Sequence, residues 1–419
     1  MPRSASPPVP AHGTAAQSTE PVPEAGGRLR VVLLMAGSCL PILGAVLLAP
    51  VLPKMQEHFA TVPGATALVP MVLTTPALAL ALLAPFAGVI IDRLGRKRLL
   101  VVACVLYTLF GTAPLWLDSL GAIVVSRALL GVAEASIMTS CTTLIGDYYT
   151  GHVRDRYLAL QTVCATTSAT AFFMLGGALG SSDWRTPFWL YGAGLLLAPA
   201  MAAFLPRPRP RPSTITENAS TVEALPFPVR RLAGICVLSL FGAIVFYTVP
   251  VETAYLLDDL GVKSSGLIGM VTAIASAATV TGCVVFASLP GRPERRLPAI
   301  FALCGAGLVL MGLAQNIAVL IMGAFFSCIG TGLLLPSLLT WAMSKLEYAD
   351  RGRGTGLWTA SFFLGQFSCP LALIAVESAT GSLATAVGLL GLASALVALG
   401  LLPLLLRHRT TAAQELPQA

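Results

Sequence analysis

Two charged residues stand where charge is costly. Arg127 and Glu134 fall in VVSRALLGVAEA, inside an apolar run that covers about 121–146. A charge within a membrane-length helix usually faces a cavity or a partner. Their spacing puts both on one helical face, about two turns apart. A carboxylate whose surroundings switch between apolar and cationic changes its proton affinity, so it can load and release a proton. Arg127 can also hold an anionic group, or pair statically with the acid. Glu252, two residues after Pro250 in TVPVETAYLL, is the second such acid. Proline opens a helix locally and frees carbonyls. A carboxylate there can take a proton or hold a cation; at a membrane interface it would be ordinary.

Uncharged polar residues extend the set of path-lining candidates. Gln161, Tyr247, Trp341, Trp358 and Gln366 lie in otherwise apolar runs. Aromatic faces suit planar or cationic molecules, although Trp and Tyr also mark membrane interfaces. An isolated amide in lipid needs a partner, which sets Gln366 ahead of the others. No Gly-rich loop precedes Lys-Ser or Lys-Thr, so no nucleotide site is expected. The four His are scattered and the nine Cys fall mostly within apolar runs. No metal, haem, flavin or other cofactor is expected, and no enzyme. Energy must come from an ion gradient or from the solute's own gradient.

The elements that position these residues follow from composition. The chain has 419 residues, 56% hydrophobic and 11% charged. Soluble domains carry about 25% charged residues. Apolar runs recur at the length, roughly 20 residues, that crosses a bilayer. Twelve spans fit, at about 29–52, 64–90, 98–117, 121–146, 156–180, 186–205, 230–256, 265–289, 297–314, 318–344, 354–376 and 383–406. The ninth and tenth are divided by a turn at Gln315-Asn316, and Asp118-Ser119 and Ser181-Ser182-Asp183 make similar breaks. All Lys and Arg except Lys54, Arg127, Arg185 and Lys263 then fall on one side. That bias places both termini in the cytoplasm. The net charge of +7 is spread in short patches without interleaved aromatics, so nucleic acid is not an expected partner.

Residues 1–28, rich in Pro, Ala, Ser and Gly, read as a disordered cytoplasmic segment. Residues 29–205 form one six-helix bundle and 230–406 another. Residues 206–229, opening on PRPRPRP, read as the cytoplasmic linker, and 407–419 as a cytoplasmic tail. The fold class is all-α and polytopic. Basic clusters recur at like positions in the two halves, as in transporters built from repeated bundles.

One loop carries a further pattern. GVIIDRLGRKR (88–98) ends an uncharged run from Phe59 to Ile91. Gly88 permits close helix approach. Asp92 can accept from Arg93 or a facing base, Gly95 permits a tight turn, and Arg96 and Arg98 can pair with acids such as Asp147. Such pairs can hold one closure and release it in another state; their plain role is to anchor the basic side.

This loop resembles the signature between helices two and three of the major facilitator superfamily. Arg127, Gly131 and Glu134 resemble the fourth-helix pattern of its twelve-helix drug and metabolite efflux branch. Asp147 with Arg156, and Arg353 in GRGTGL, resemble further elements of that pattern. Pro50 and Pro53 resemble its first-helix end. Helix five keeps Gly176, Gly177 and Gly180 but lacks the Gly-Pro of antiporters in that branch.

The resemblance implies two pseudo-symmetric six-helix bundles rocking about a central path. It implies a monomer in a bacterial inner membrane, exporting a small organic compound against proton entry. Arg127, Glu134 and Glu252 are then the proton-coupling candidates. Gly88, Asp92, Arg93, Gly95, Arg96, Arg98, Asp147, Arg156 and Arg353 are the gating candidates. Uptake by symport or facilitation is the alternative, followed by a solute sensor without flux.

Overall fold

The computed structural model describes residues 25–87, 93–206, 229–289, 291–347 and 350–414. Gly88, Asp92, most of the segment 1–28 and residues 207–228 of the linker lie outside the described residues. Among those described, twelve helices are long and apolar enough to cross a membrane. They are α1 (Gly27–His58), α2 (Ala65–Phe86), α3 (Arg96–Leu115), α4 (Leu120–Tyr148), α5 (Gly151–Leu179) and α6 (Thr186–Phe204). The second set is α7 (Leu232–Asp259), α8 (Ser265–Ser288), α9 (Pro293–Gly312), α10 (Ile317–Ser344), α11 (Gly352–Thr380) and α12 (Leu383–Pro403). Twelve crossings put the start of α1 and the end of α12 on one face, called here the chain-end face. The last helix continues to Gln414, into the stretch read as a tail.

Local chemistry sets the ends. Asn316 caps α10 by accepting from the Val319 N–H at 3.0 Å. Gly381, at φ 77°, closes α11 through its N–H to the Glu377 carbonyl at 2.7 Å. The first helix runs six residues past the expected 52. Pro50 sits in a 3-10 turn, Ala49–Val51, and Pro53 opens the next helical turn. Proline is tolerated there because first-turn N–H groups need no helical partner.

Polarity is inverted relative to a water-soluble protein. Leu196 is 76% exposed and Val237 69%, whereas Arg127 is completely buried. Apolar side chains face outward because lipid, unlike water, does not drive them inward.

The two halves pack alike. In the first, α1 meets α4 and α5, α2 and α3 meet α4, and α3 meets α6. In the second, α7 meets α10 and α11, α8 and α9 meet α10, and α9 meets α12. Across the halves, α5 packs on α8 and α2 on α11, a pair of contacts that the same repeat interchanges. Small residues bring the backbones together. A Cβ added at Gly177 would lie 2.8 Å from the Gly269 Cα, so α5 and α8 touch backbone to backbone away from the chain-end face.

The α9–α12 crossing tests this packing. A Cβ at Gly312 would lie 2.6 Å from the Ala384 carbonyl oxygen, whereas one at Gly388 meets nothing closer than 3.7 Å. Gly312→Ala should cost about 1–3 kcal/mol, and Gly388→Ala should be neutral or stabilising. Apparent melting temperatures in detergent separate the two.

Candidate functional site: a central cavity with one buried acid

A cavity of about 290 Å³ lies between the halves. Residues of α1, α2, α4 and α5 form one side and residues of α7, α8, α10 and α11 the other. Glu134, Tyr247 and Gln366 are in its wall, with Phe173, Phe246, Phe362 and Phe363. The remaining wall is largely aliphatic.

Glu134 enters the wall from the middle of α4. It is 2% exposed, and its Oε1 has no hydrogen-bond partner among the described residues. Room for the carboxyl comes from α1. A Cβ at Gly44 would lie 1.7 Å from Oε1, so any larger residue there would displace the acid.

Arg127 shares the helix but not the cavity wall. Its Nε donates to the Val72 carbonyl at 3.2 Å. Its Nη2 donates to the Gly44 carbonyl at 3.2 Å and to the Tyr191 hydroxyl at 2.7 Å. The guanidinium also lies over the Tyr191 ring, 4.8 Å from its centroid. One side chain therefore ties α4 to α1, α2 and α6. Among the described residues, buried Nη1 of Arg127 and Oε1 of Glu134 each have no hydrogen-bond partner, so the two charges are neighbours on one helix rather than a closed ion pair.

The other candidates divide by position. Glu252 is 4% exposed on α7 but outside the wall, although Pro250 is in it. Gln161 bridges helices, donating from Nε2 to Ser38 Oγ at 2.8 Å and to Thr142 Oγ1 at 3.1 Å. Trp341 is half-buried on α10, away from the wall. Trp358 stands behind it: its ring stacks on Phe362, centroids 5.6 Å apart and planes 7° apart.

The loop candidates lie at the chain-end face. Gly95 has φ 80° and starts α3. Arg96 pairs with Asp147 at the end of α4. Lys97 donates to the Leu205 carbonyl at the end of α6. Arg93, Arg98, Arg156 and Arg353 are exposed there.

Two contacts beyond the chain-end face join the halves. In the cavity wall the Tyr247 hydroxyl on α7 donates to the Ala45 carbonyl on α1 at 2.6 Å, and at the opposite face Lys263 lies 3.9 Å from Glu57. Within the first half Lys54 donates to the Gly180 and Ser181 carbonyls at 2.7 and 3.0 Å, and within the second Lys263 lies 2.7 Å from Asp258. The Asp258 hydrogen bond holds the Lys263 ammonium above its ordinary range.

Three parts of the site were not singled out from sequence. Gly44 carried a signal, a glycine inside an apolar helix, which marks close approach. Tyr191 carried another, a phenol in lipid that must find a partner. Phe246, Phe362 and Phe363 carried none, since a cavity-facing Phe reads the same as a lipid-facing one.

Two like helix bundles around a cavity containing a buried acid define a membrane transporter rather than an enzyme. The chain belongs to the Major Facilitator Superfamily, whose family model matches residues 34–346. It is 25% identical over 292 residues to the 3-(3-hydroxy-phenyl)propionate transporter of Escherichia coli, covering 68% of this chain and 71% of that one. It is 24% identical over 360 residues to multidrug resistance protein 2 of Bacillus subtilis, covering 81% and 86%. The fold matches the inward-open xylose transporter XylE from E. coli with a TM-score of 0.72, at 14% identity, covering 88% and 94%.

Arg127 should be the most sensitive polar residue for stability. Tyr191→Phe removes one hydrogen bond to a buried charge and should cost about 1.5–3 kcal/mol. Arg127→Met removes all three bonds and should cost more, read as a lower apparent melting temperature in detergent. Equal melting of Arg127→Met and the parent protein would show that the tie does not hold the bundle.

Proposed function

We propose that the chain is a secondary active transporter that exports a small organic compound in exchange for protons. The observation that supports this best is the buried Glu134 in the wall between the two halves, whose Oε1 has no hydrogen-bond partner among the described residues. A deprotonated carboxyl there is a charge in an apolar wall, offset only by the neighbouring Arg127 on the same helix. One proton removes that charge. Coupling follows where the acid has different proton affinities in the two states of the bundle. Similarity to a multidrug resistance protein supports export. The hydroxyphenylpropionate transporter among the relatives supports the alternative, uptake by symport or facilitation.

The working cycle is a rocking of residues 29–205 against 230–406, joined by 206–229. At the chain-end face, the α2–α3 loop with Asp92, Arg93, Arg96 and Arg98, the acid Asp147, and Arg156 and Arg353 would form and break the closure. Toward the other face, Tyr247–Ala45 in the cavity wall and Lys263–Glu57 beyond it would do the same. The protein would work as a monomer in a bacterial inner membrane, with both ends in the cytoplasm and the proton gradient as its energy source. Glu252 is the second proton-coupling candidate.

Purified protein in proteoliposomes tests this with a solute panel, with and without a pH gradient, recording solute and proton together. Glu134→Gln should lower gradient-driven flux at least about tenfold, equivalent to about 1.4 kcal/mol, while downhill exchange persists. Glu252→Gln should have the smaller effect. Undiminished coupled flux in both variants would reject the proton site. Accumulation in the direction of proton movement would replace export by symport.

A further inference from the structure

We propose that a second cavity, at the face opposite the chain ends, binds a small zwitterion of the α-amino-acid type, a carboxylate beside an ammonium. The occupant would bridge the two halves at that face. The site is separate from the central cavity: among the described residues, the two walls have none in common.

This cavity has a volume of about 280 Å³. Lys54 and Glu57 reach its wall from the end of α1, Asp258 from the end of α7, Lys263 from the loop that follows and Ser265 from the start of α8. The rest of the wall is apolar. The central cavity has one acid in its wall; this one has two acids and two bases.

Ser265 points to a ligand. It is 1% exposed, and its Oγ has no hydrogen-bond partner among the described residues. A buried hydroxyl left unpaired is costly, and a ligand oxygen in the cavity would pair it. Ser264 caps α8 by accepting from the Leu267 N–H at 3.4 Å, so Ser265 opens the first turn. N–H groups there lack helical partners, and the helix dipole favours an anion.

Lys54 is held close to Ser265 by the end of α5. Its ammonium donates to the Gly180 and Ser181 carbonyls at 2.7 and 3.0 Å. One turn earlier on α5, a Cβ at Gly177 would lie 2.5 Å from the Ser265 carbonyl oxygen. Two of the three Lys54 N–H donors are used, both on carbonyls. The third is left for an anionic oxygen.

The acids stand around Lys263. Its Nζ lies 2.7 Å from Asp258 and 3.9 Å from Glu57. Asp259 also acts on Lys263, from outside the wall. Glu57 follows Lys54 by three residues, on the same face of α1. Its contact with Lys263 is the loose one, so an incoming ammonium can take the Glu57 carboxylate while Lys263 keeps Asp258.

This mixture of signs selects the ligand. A plain anion would meet Glu57 and Asp258, and a plain cation would meet Lys54 and Lys263. Among the described residues, no group of three or more His, Cys, Asp or Glu could hold a metal ion. A zwitterion meets each sign with its opposite. The volume is at the small end of ligand sites, roughly 300–1,000 Å³, which suits a molecule of amino-acid size. Both halves build the wall, so the site is complete only while this face is closed, and an occupant favours that state.

Calorimetric titration of the purified full-length protein in detergent tests the proposal. Three probes of one size differ in charge: L-alanine, L-lactate and L-alaninamide, used at about pH 6.5, where the amine of alaninamide is protonated. Alanine should bind at least about tenfold tighter than either of the others. It should also raise the apparent melting temperature as its concentration rises. Ser265→Ala should weaken alanine at least about threefold. That hydroxyl bonds no other described part of the protein, so the melting temperature without probe should stay unchanged. Glu57→Gln, at an exposed side chain, should bring alanine to the level of lactate. Lactate or alaninamide binding as tightly as alanine overturns the proposal. So does an alanine affinity that either substitution leaves unchanged, because the probe then sits elsewhere. Absence of saturable alanine binding up to about 50 mM overturns it as well.

Discussion

The cost of an unsatisfied polar group inside a lipid-facing bundle organises this protein. Arg127 is the largest such group, completely buried on α4. Its bonds to carbonyls of α1 and α2 and to the Tyr191 hydroxyl of α6 resolve most of that cost. In doing so they draw three helices onto a fourth. The Gly44 carbonyl that accepts from Arg127 belongs to the residue whose missing side chain makes room for Glu134. One residue of α1 thus both anchors the tie and shapes the site.

The next residue on α1 belongs to a different contact. The Ala45 carbonyl accepts from Tyr247 of the opposite half. Base, acid and cross-half contact therefore meet on two consecutive residues of one helix. In the proposed cycle a change of charge at Glu134 would act on the backbone that also touches the other bundle, since any shift of α1 at Gly44 would also move the acceptor that Tyr247 holds.

The cavity itself arises from packing, not from a special segment. Repeated helix pairs in the two halves leave a gap where the halves face one another. Glycine contacts such as Gly177 with Gly269 close that gap at one end by letting backbones touch. Long side chains at those positions would hold the halves apart.

Much of this was legible in the sequence, for reasons that can be named. Apolar runs of bilayer length follow from lipid solvation alone, so the twelve spans needed no coordinates. Arg127, Glu134 and Glu252 stood out because charge within such runs is rare. What separated them was tertiary. Glu134 faces the cavity, Arg127 is enclosed by neighbouring helices, and Glu252 is buried on α7 off the wall. A helical face can be read from spacing, yet what lies opposite that face cannot. In lipid, hydrophobicity does not distinguish the inside of a bundle from its outside, so the aromatic wall of Phe246, Phe362 and Phe363 was invisible until the helices were packed. The chain alone determined that it crosses a bilayer repeatedly and carries rare internal charges. Only the packed helices decided which of those charges meets the cavity, because that depends on which backbones approach closely enough to enclose the others.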